Sequence, residues 1–172
     1  MSDAITFRAL ARSDFPLLQR WLSLPHVVAW WREPLDLAGI EVKYGPRIDG
    51  LEPTYVFMIE HDSHAVGWIQ WYLWSDYPEH AAKLGVEAGS AGVDFALGEA
   101  ESLGKGLGSR IIHEFAEQII FARRDITAIY SDPEEKNVRS LRAFAKAGFE
   151  VTKKGYFDGK DYRQCVVRRR RS

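Results

Sequence analysis

Glycines at 104, 106 and 108 stand between an apolar stretch and a long apolar-periodic run, and they constrain this chain more than any other feature. Val93-Asp94-Phe95-Ala96-Leu97 reads as a strand, and the run from Leu107 to Phe121 reads as a helix. The loop between them feeds the first turn of that helix. Backbone N–H groups at a helix N-terminus lack intrahelical partners, and the helix dipole favours negative charge there. Glycines adopt positive φ and let a bulky anion approach the backbone. The pattern predicts a phosphate or pyrophosphate cradle. A Walker loop is excluded, because Lys105 is followed by Gly106 rather than by Ser or Thr. The dinucleotide fingerprint is excluded as well, because it opens an early βαβ unit and this loop sits late in the chain.

The rest of the chain supplies a mixed sheet. Residues 5–10 alternate as a first strand, and Ser13 is the expected N-cap of a helix with Pro16 in its first turn. Phe15, Leu18, Trp21 and Leu22 follow helical spacing and predict one buried face. Trp30 and Trp31 are adjacent, so a short helix cannot point both into one core, and one of them is a candidate cleft residue. A further short helix is expected over 37–44. Residues 55–60 and 65–74 read as a hairpin around Asp62-Ser63-His64, and 76–89 as a polar loop. A strand over 126–130 follows. A helix over 137–146 is stopped by Gly148, with Leu141 and Phe144 on its buried side, and a last hairpin turns at Asp158-Gly159. The order β-α-α-β-β-β-α-β-α-β-β predicts an α/β chain of α+β type, with a mixed central sheet flanked by helices on both faces. At 172 residues it is read as a single domain over 1–172.

Composition narrows the partners. The formal net charge is −1, which gives no reason to expect nucleic acid. Residues 168–171 are all arginine, leaving 19 basic against 24 acidic residues elsewhere, a net −5; this tail is read as solvated and frayed. Cys165 is the only cysteine, so no intrachain disulfide is possible. No signal peptide opens the chain and no apolar run reaches the roughly 18 residues of a membrane span, so a cytoplasmic protein without a membrane partner is expected. The histidines at 26, 61, 64, 80 and 113 lack metal-ligand spacing, and no metal site is proposed from them.

Among residues that carry chemistry, Asp94 stands out. On a strand it shares a face with Gly92 and Ala96, beside the anion loop, where burial of an unpaired charge would be costly. A carboxylate facing a cleft there can act as a general base or hold a cation. Asp132 ends a strand before Pro133 and is either a turn carboxylate or a second acidic wall. Asn137 begins a helix and is read first as its cap, with an extended amide ligand as the other possibility. Ser109 has no recognisable histidine partner and is read as part of the loop.

Gly104-Lys105-Gly106-Leu107-Gly108-Ser109 after a strand, with Asn137 and Ala147-Gly148-Phe149 further on, resembles the GNAT acetyltransferase superfamily. The closer resemblance is to aminoglycoside 6′-N-acetyltransferases. It is carried by His26-Val27-Val28-Ala29-Trp30-Trp31, Ala91-Gly92-Val93-Asp94, Ser131-Asp132-Pro133 with Asn137-Val138-Arg139, and the stretch from Leu141 to Phe149. The resemblance implies a GNAT fold, with acetyl-CoA as acetyl donor and no metal. Its pyrophosphate would lie on the backbone from Leu103 to Ser109, its pantetheine arm would run between two parallel strands that splay apart, and Asn137 would complete the cofactor site. Asp94 would be the carboxylate near the 6′-amine, Trp30 or Trp31 would line the sugar cleft, and Asp132 would hold a ring ammonium. Glu87 or Asp158 are further acidic candidates. The substrate implied is a small polyamine, and the protein is a monomer or homodimer. Two positions depart from the family pattern. Leu103 replaces a common Gln or Arg, and Phe144 replaces a tyrosine thought to protonate the leaving thiolate. Acetylation of another amine, such as a siderophore precursor or a protein N-terminus, and a non-catalytic CoA- or aminoglycoside-binding module are the alternatives.

Overall fold

The computed structural model describes residues 3–33 and 35–172. Seven strands form one mixed sheet: β1 (Ile5–Ala9), β2 (Thr54–His61), β3 (His64–Leu73), β4 (Ser90–Leu97), β5 (Ala128–Ser131), β6 (Glu150–Gly155) and β7 (Gln164–Arg170), in the order β1-β2-β3-β4-β5-β7-β6. Among the described residues six α-helices connect them: α1 (Phe15–Leu22), α2 (Pro25–Trp31), α3 (Leu37–Ile48), α4 (Pro78–Leu84), α5 (Leu107–Phe115) and α6 (Val138–Lys146). Among the described residues no helix is long and apolar enough to cross a membrane.

One compact unit comprises the chain up to Gln70 together with Phe95–Leu103. In it β1 runs antiparallel to β2, from Ile5 opposite His61 to Ala9 opposite Phe57. Helix α1 buries Phe15, Leu18, Trp21 and Leu22, as its spacing predicts. Its start differs from expectation. Ser13 lies in a 3₁₀ turn, and Asp14 occupies the cap position, where its carboxylate accepts from the Ala11 N–H (2.9 Å) and from both ends of the Arg8 guanidinium (2.8 Å each). Trp68 centres the core, stacked on Trp21 at 6.0 Å and met by Trp31 at 5.0 Å. Helix α3 continues past the expected stop at Tyr44, through Pro46 to Ile48. Proline inside a helix forfeits one hydrogen bond at roughly 3 kcal/mol. Burial of Ile40 and Tyr44 on the core side holds the helix together against that cost.

The second unit comprises Trp71–Asp94 and Gly104–Ser172. Here β4 runs parallel to β5 (Ser90 opposite Ala128, Gly92 opposite Tyr130), with α5 in the crossover that a parallel pair requires. Strand β7 lies antiparallel to both β5 and β6. The expected loop over 76–89 contains α4, with Pro78 at its first position and Gly85 (φ +69°) ending it. Only Leu84 of its seven residues is buried, so no apolar period announced it. The run beyond Phe115 is a π-helical turn, Ala116–Ile120, rather than more α-helix.

The arginine tail is the largest correction. Residues 168–170 belong to β7, and their partners are acids from distant stretches. Arg168 pairs with Glu150 and Glu87, Arg169 with Glu117, and Arg170 with Glu87. Arg171 donates its N–H to Thr127 O (2.8 Å), and its guanidinium donates to the carbonyls of Ile126 (2.9 Å), Phe121 (2.9 Å) and Arg123 (2.5 Å). The tail is solvated on one side only.

Candidate active site

Strand β4 ends at Leu97, and after a 3₁₀ turn the chain reaches Leu103 and the glycine loop. Gly104 and Gly106 hold φ of +72° and +73°, a region disfavoured for residues with a Cβ. Gly106 is the N-cap of α5 and offers no side-chain cap, so the first-turn amides of this nine-residue helix are left for another acceptor. Leu107 is 5% exposed and anchors the helix in the core, so only its backbone N–H can serve a ligand. Lys105 is exposed, and the Ser109 hydroxyl donates back to Gly106 O at 3.0 Å. Asn137 caps α6, its Oδ1 accepting from the Ser140 N–H at 3.2 Å.

Asp94 is half-buried on β4, between the buried Gly92 and Ala96. It meets Tyr72 of β3, whose hydroxyl is hydrogen-bonded to it. Burial first, then the charges of Asp94 and Asp132, hold the Tyr72 phenol well above its ordinary range. The phenol therefore stays protonated and donates to Asp94. Its ring stands edge-on to Trp74 (5.1 Å) and Tyr77 (5.3 Å). Gly92 makes this possible, because a Cβ there would overlap the Tyr72 ring.

Asp132 follows β5 and is drawn into the same group. Gln164 Nε2 donates to its Oδ2 (3.0 Å) and its main-chain carbonyl (2.9 Å). His80 of α4 places Nε2 3.4 Å from Asp132 Oδ2 and Nδ1 against Asp158 Oδ2. Lys83 Nζ approaches the other Asp158 oxygen at 2.5 Å. The hydrogen bond to Asp132 raises the His80 pKa, burial opposes it, and the charges of Asp132 and Asp158 add to the rise. Asp158 is held below the usual carboxylate range, chiefly by Lys83. Glu87 is committed elsewhere, to the Tyr130 hydroxyl (3.0 Å), Arg168 (3.3 Å) and Arg170 (3.0 Å).

In the other unit, Trp31 packs on Trp68, whereas Trp30 is 38% exposed, so the two tryptophans divide as the helix geometry requires. Phe144 is 2% exposed and stands edge-on to Phe149 at 5.0 Å. Sequence reasoning missed Tyr72, His80 and Gln164. Tyr72 carried a weak signal, since Trp68, Gln70 and Tyr72 alternate on one face of β3. His80 and Gln164 carried none, because their partners are distant in sequence.

The model of one acetyltransferase family, described as "Acetyltransferase (GNAT) domain", matches residues 11–157, most of the chain. The chain belongs to the GNAT acetyltransferases. Among relatives of this GNAT protein is an aminoglycoside N(6′)-acetyltransferase type 1 from Klebsiella pneumoniae, 29% identical over 152 residues that cover 87% of this chain and 75% of the relative. A solved structure of AAC(6′)-Ib in complex with paromomycin and acetyl-CoA superposes with a TM-score of 0.88 at 27% identity, covering 98% of this chain and 94% of that one. The same enzyme in complex with coenzyme A and kanamycin gives a TM-score of 0.87 at 27% identity, covering 98% and 95%. The mixed seven-stranded sheet with its connecting helices is the GNAT architecture of those enzymes.

Proposed function

We propose that this protein transfers acetyl from acetyl-CoA to a primary amine, the 6′-amine of an aminoglycoside. The observation that carries the reading is Asp94, half-buried on β4, hydrogen-bonded by Tyr72 and followed along the chain by a helix start with uncapped amides. The matches to aminoglycoside N(6′)-acetyltransferases support the substrate class. The reading takes residues 1–172 as one catalytic domain working in the cytoplasm, as a monomer or homodimer.

The loop suits a pyrophosphate, since a Cβ at Gly104 or Gly106 would meet nothing within 4 Å and an anion can therefore reach the backbone. In this reading Leu103, Gly104, Lys105, Gly106, Leu107, Gly108 and Ser109 hold the cofactor by their amides, and Asn137 contributes its side-chain nitrogen. Bound there, acetyl-CoA supplies the acetyl group as a thioester. An ammonium cannot attack a carbonyl until it loses a proton. Asp94 orients the ammonium and takes that proton, directly or through one water, while Tyr72 keeps the carboxylate in place. Asp132 receives a second ammonium of the polyamine. Trp30 has an exposed ring to offer a sugar, whereas one face of Trp31 is taken by Trp68. As the C–N bond forms the C–S bond breaks, and because Phe144 has no proton to give, the departing coenzyme A thiolate takes its proton from water.

The test is thiol release from acetyl-CoA against aminoglycosides with and without a free 6′-amine. Release only with that amine is expected, and Asp94→Asn should lower turnover about 10²-fold or more while acetyl-CoA still binds. Release with other amines but no aminoglycoside would move the assignment to the siderophore-type or N-terminal substrates. Tight binding without any release would make the protein a binding module. Near-normal turnover of Asp94→Asn would remove Asp94 from the mechanism.

A further inference from the structure

We infer that His80 is a built-in counter-cation that occupies the Asp132–Asp158 pair and must give up its proton before a substrate ammonium can bind there, which makes it a specificity-determining residue. The inference rests on the aminoglycoside reading above and deepens it.

Three observations carry it. First, His80 bridges the two carboxylates, with Nε2 3.4 Å from Asp132 and Nδ1 against Asp158. Second, the bridge is uneven: Nδ1 lies against Asp158, whereas Nε2 stands 3.4 Å from Asp132, beyond the usual N–H···O range of about 2.7–3.2 Å, and a long contact is the easier one to exchange. Third, the residue hydrogen-bonded to Asp132 keeps an acceptor that His80 leaves unused. Gln164 is 5% exposed and its Nε2 is spent on Asp132, while its Oε1 is buried with no donor. A buried acceptor left without a donor is costly. A primary ammonium brings three donors, whereas an imidazolium brings two in fixed directions. An ammonium can thus meet Asp132 and Asp158 together and keep a third donor for a further acceptor.

The groups facing His80 set its charge. Asp132 comes from the end of β5 and Asp158 from the β6–β7 connection. Lys83 on α4 itself shares Asp158, and the Trp74 ring lies 5.4 Å away. The two carboxylates favour the imidazolium, and its pKa stands above the ordinary 6.5. The exchange balances simply. The substrate ammonium takes the two carboxylates, and the ring releases one proton to solvent. One pH unit below the His80 pKa only about a tenth of the molecules carry a neutral ring, so the apparent KM should be about tenfold higher than the intrinsic value. As pH rises through the His80 pKa, KM should fall.

The experiment uses kanamycin with the whole protein. Calorimetric titrations in two buffers of different ionisation enthalpy read proton release, and steady-state assays from pH 6 to 8 read KM and kcat. His80→Gln should remove the proton release seen below the His80 pKa and flatten the KM profile, lowering KM about tenfold one pH unit below that pKa, with kcat moving less than KM. A magnetic-resonance titration of the His80 ring in the unaltered protein needs no variant, and kanamycin should lower its pKa. Equal proton release in both proteins, or a ring pKa that kanamycin leaves in place, overturns the inference while acetylation of kanamycin keeps the enzymatic reading. Absence of both binding and thiol release overturns the two together.

Discussion

Gly92→Ala is the smallest change that tests whether Tyr72 positions Asp94. A methyl group on Gly92 would lie 2.8 Å from the Tyr72 Oη and closer still to two ring carbons, where ordinary contact begins at 3.4 Å. The ring must therefore retreat by about 1 Å, and Trp74 and Tyr77, edge-on at 5.1 and 5.3 Å, oppose that retreat. Overpacking of this kind costs about 1–3 kcal/mol. Taking about 2 kcal/mol, and about 2–4 °C per kcal/mol for a chain of this size, Tm should fall by about 4–8 °C. The hydroxyl would also leave Asp94, and a displacement of about 1 Å in a positioning group can lower turnover about 10²-fold. Denaturant unfolding gives the first quantity as a lower midpoint at unchanged slope. Thiol release gives the second. In a double-mutant cycle, Gly92→Ala should cost much less stability in a Tyr72→Ala background than it does alone, while turnover stays low. A Gly92→Ala protein with unaltered midpoint and unaltered turnover would refute the reasoning, because the ring would then have room that the structure denies it.

Two further outcomes follow from other parts of the molecule. Phe144→Tyr should destabilise by about 1–3 kcal/mol without raising kcat, because it adds a hydroxyl to a ring enclosed against Phe149; a gain in kcat would instead place position 144 at the departing thiolate. Arg171→Ala should cost about 2 kcal/mol in denaturant unfolding, since it strips a charged donor from three backbone carbonyls; a change below about 0.5 kcal/mol would restore the solvated-tail reading.

The elements legible in the sequence are those whose signals are local. Strand β1, the β2–β3 hairpin and α1 announced themselves by period, and α6 by its cap Asn137 and the glycine after it. The elements that escaped depend on partners far along the chain. Helix α4 is polar and short, and its Pro78 and Gly85 were read as loop residues although they mark a start and a stop. The arginines at 168–171 look like a solvated charge run until Glu87, Glu117 and Glu150 are placed beside them. The candidate site divides the same way. Asp94 could be found because a carboxylate on a strand among small residues needs an explanation. His80 could not, since nothing near it in sequence foretells Asp132 and Asp158. The Ser13 cap failed for a related reason, as Arg8 and the Ala11 amide drew Asp14 into that place.

The position of β7 also bears on how the molecule is made. It follows every other strand in the chain, yet it lies between β5 and β6, which have no ladder with one another. During synthesis β5 can pair with β4 as soon as both have emerged, but one of its edges stays open until residues 167–170 leave the ribosome. An open strand edge invites pairing with other chains. A nascent chain stalled before residue 167 is thus a partly formed sheet with an unblocked edge, and its fate falls to chaperones and proteases rather than to its own packing.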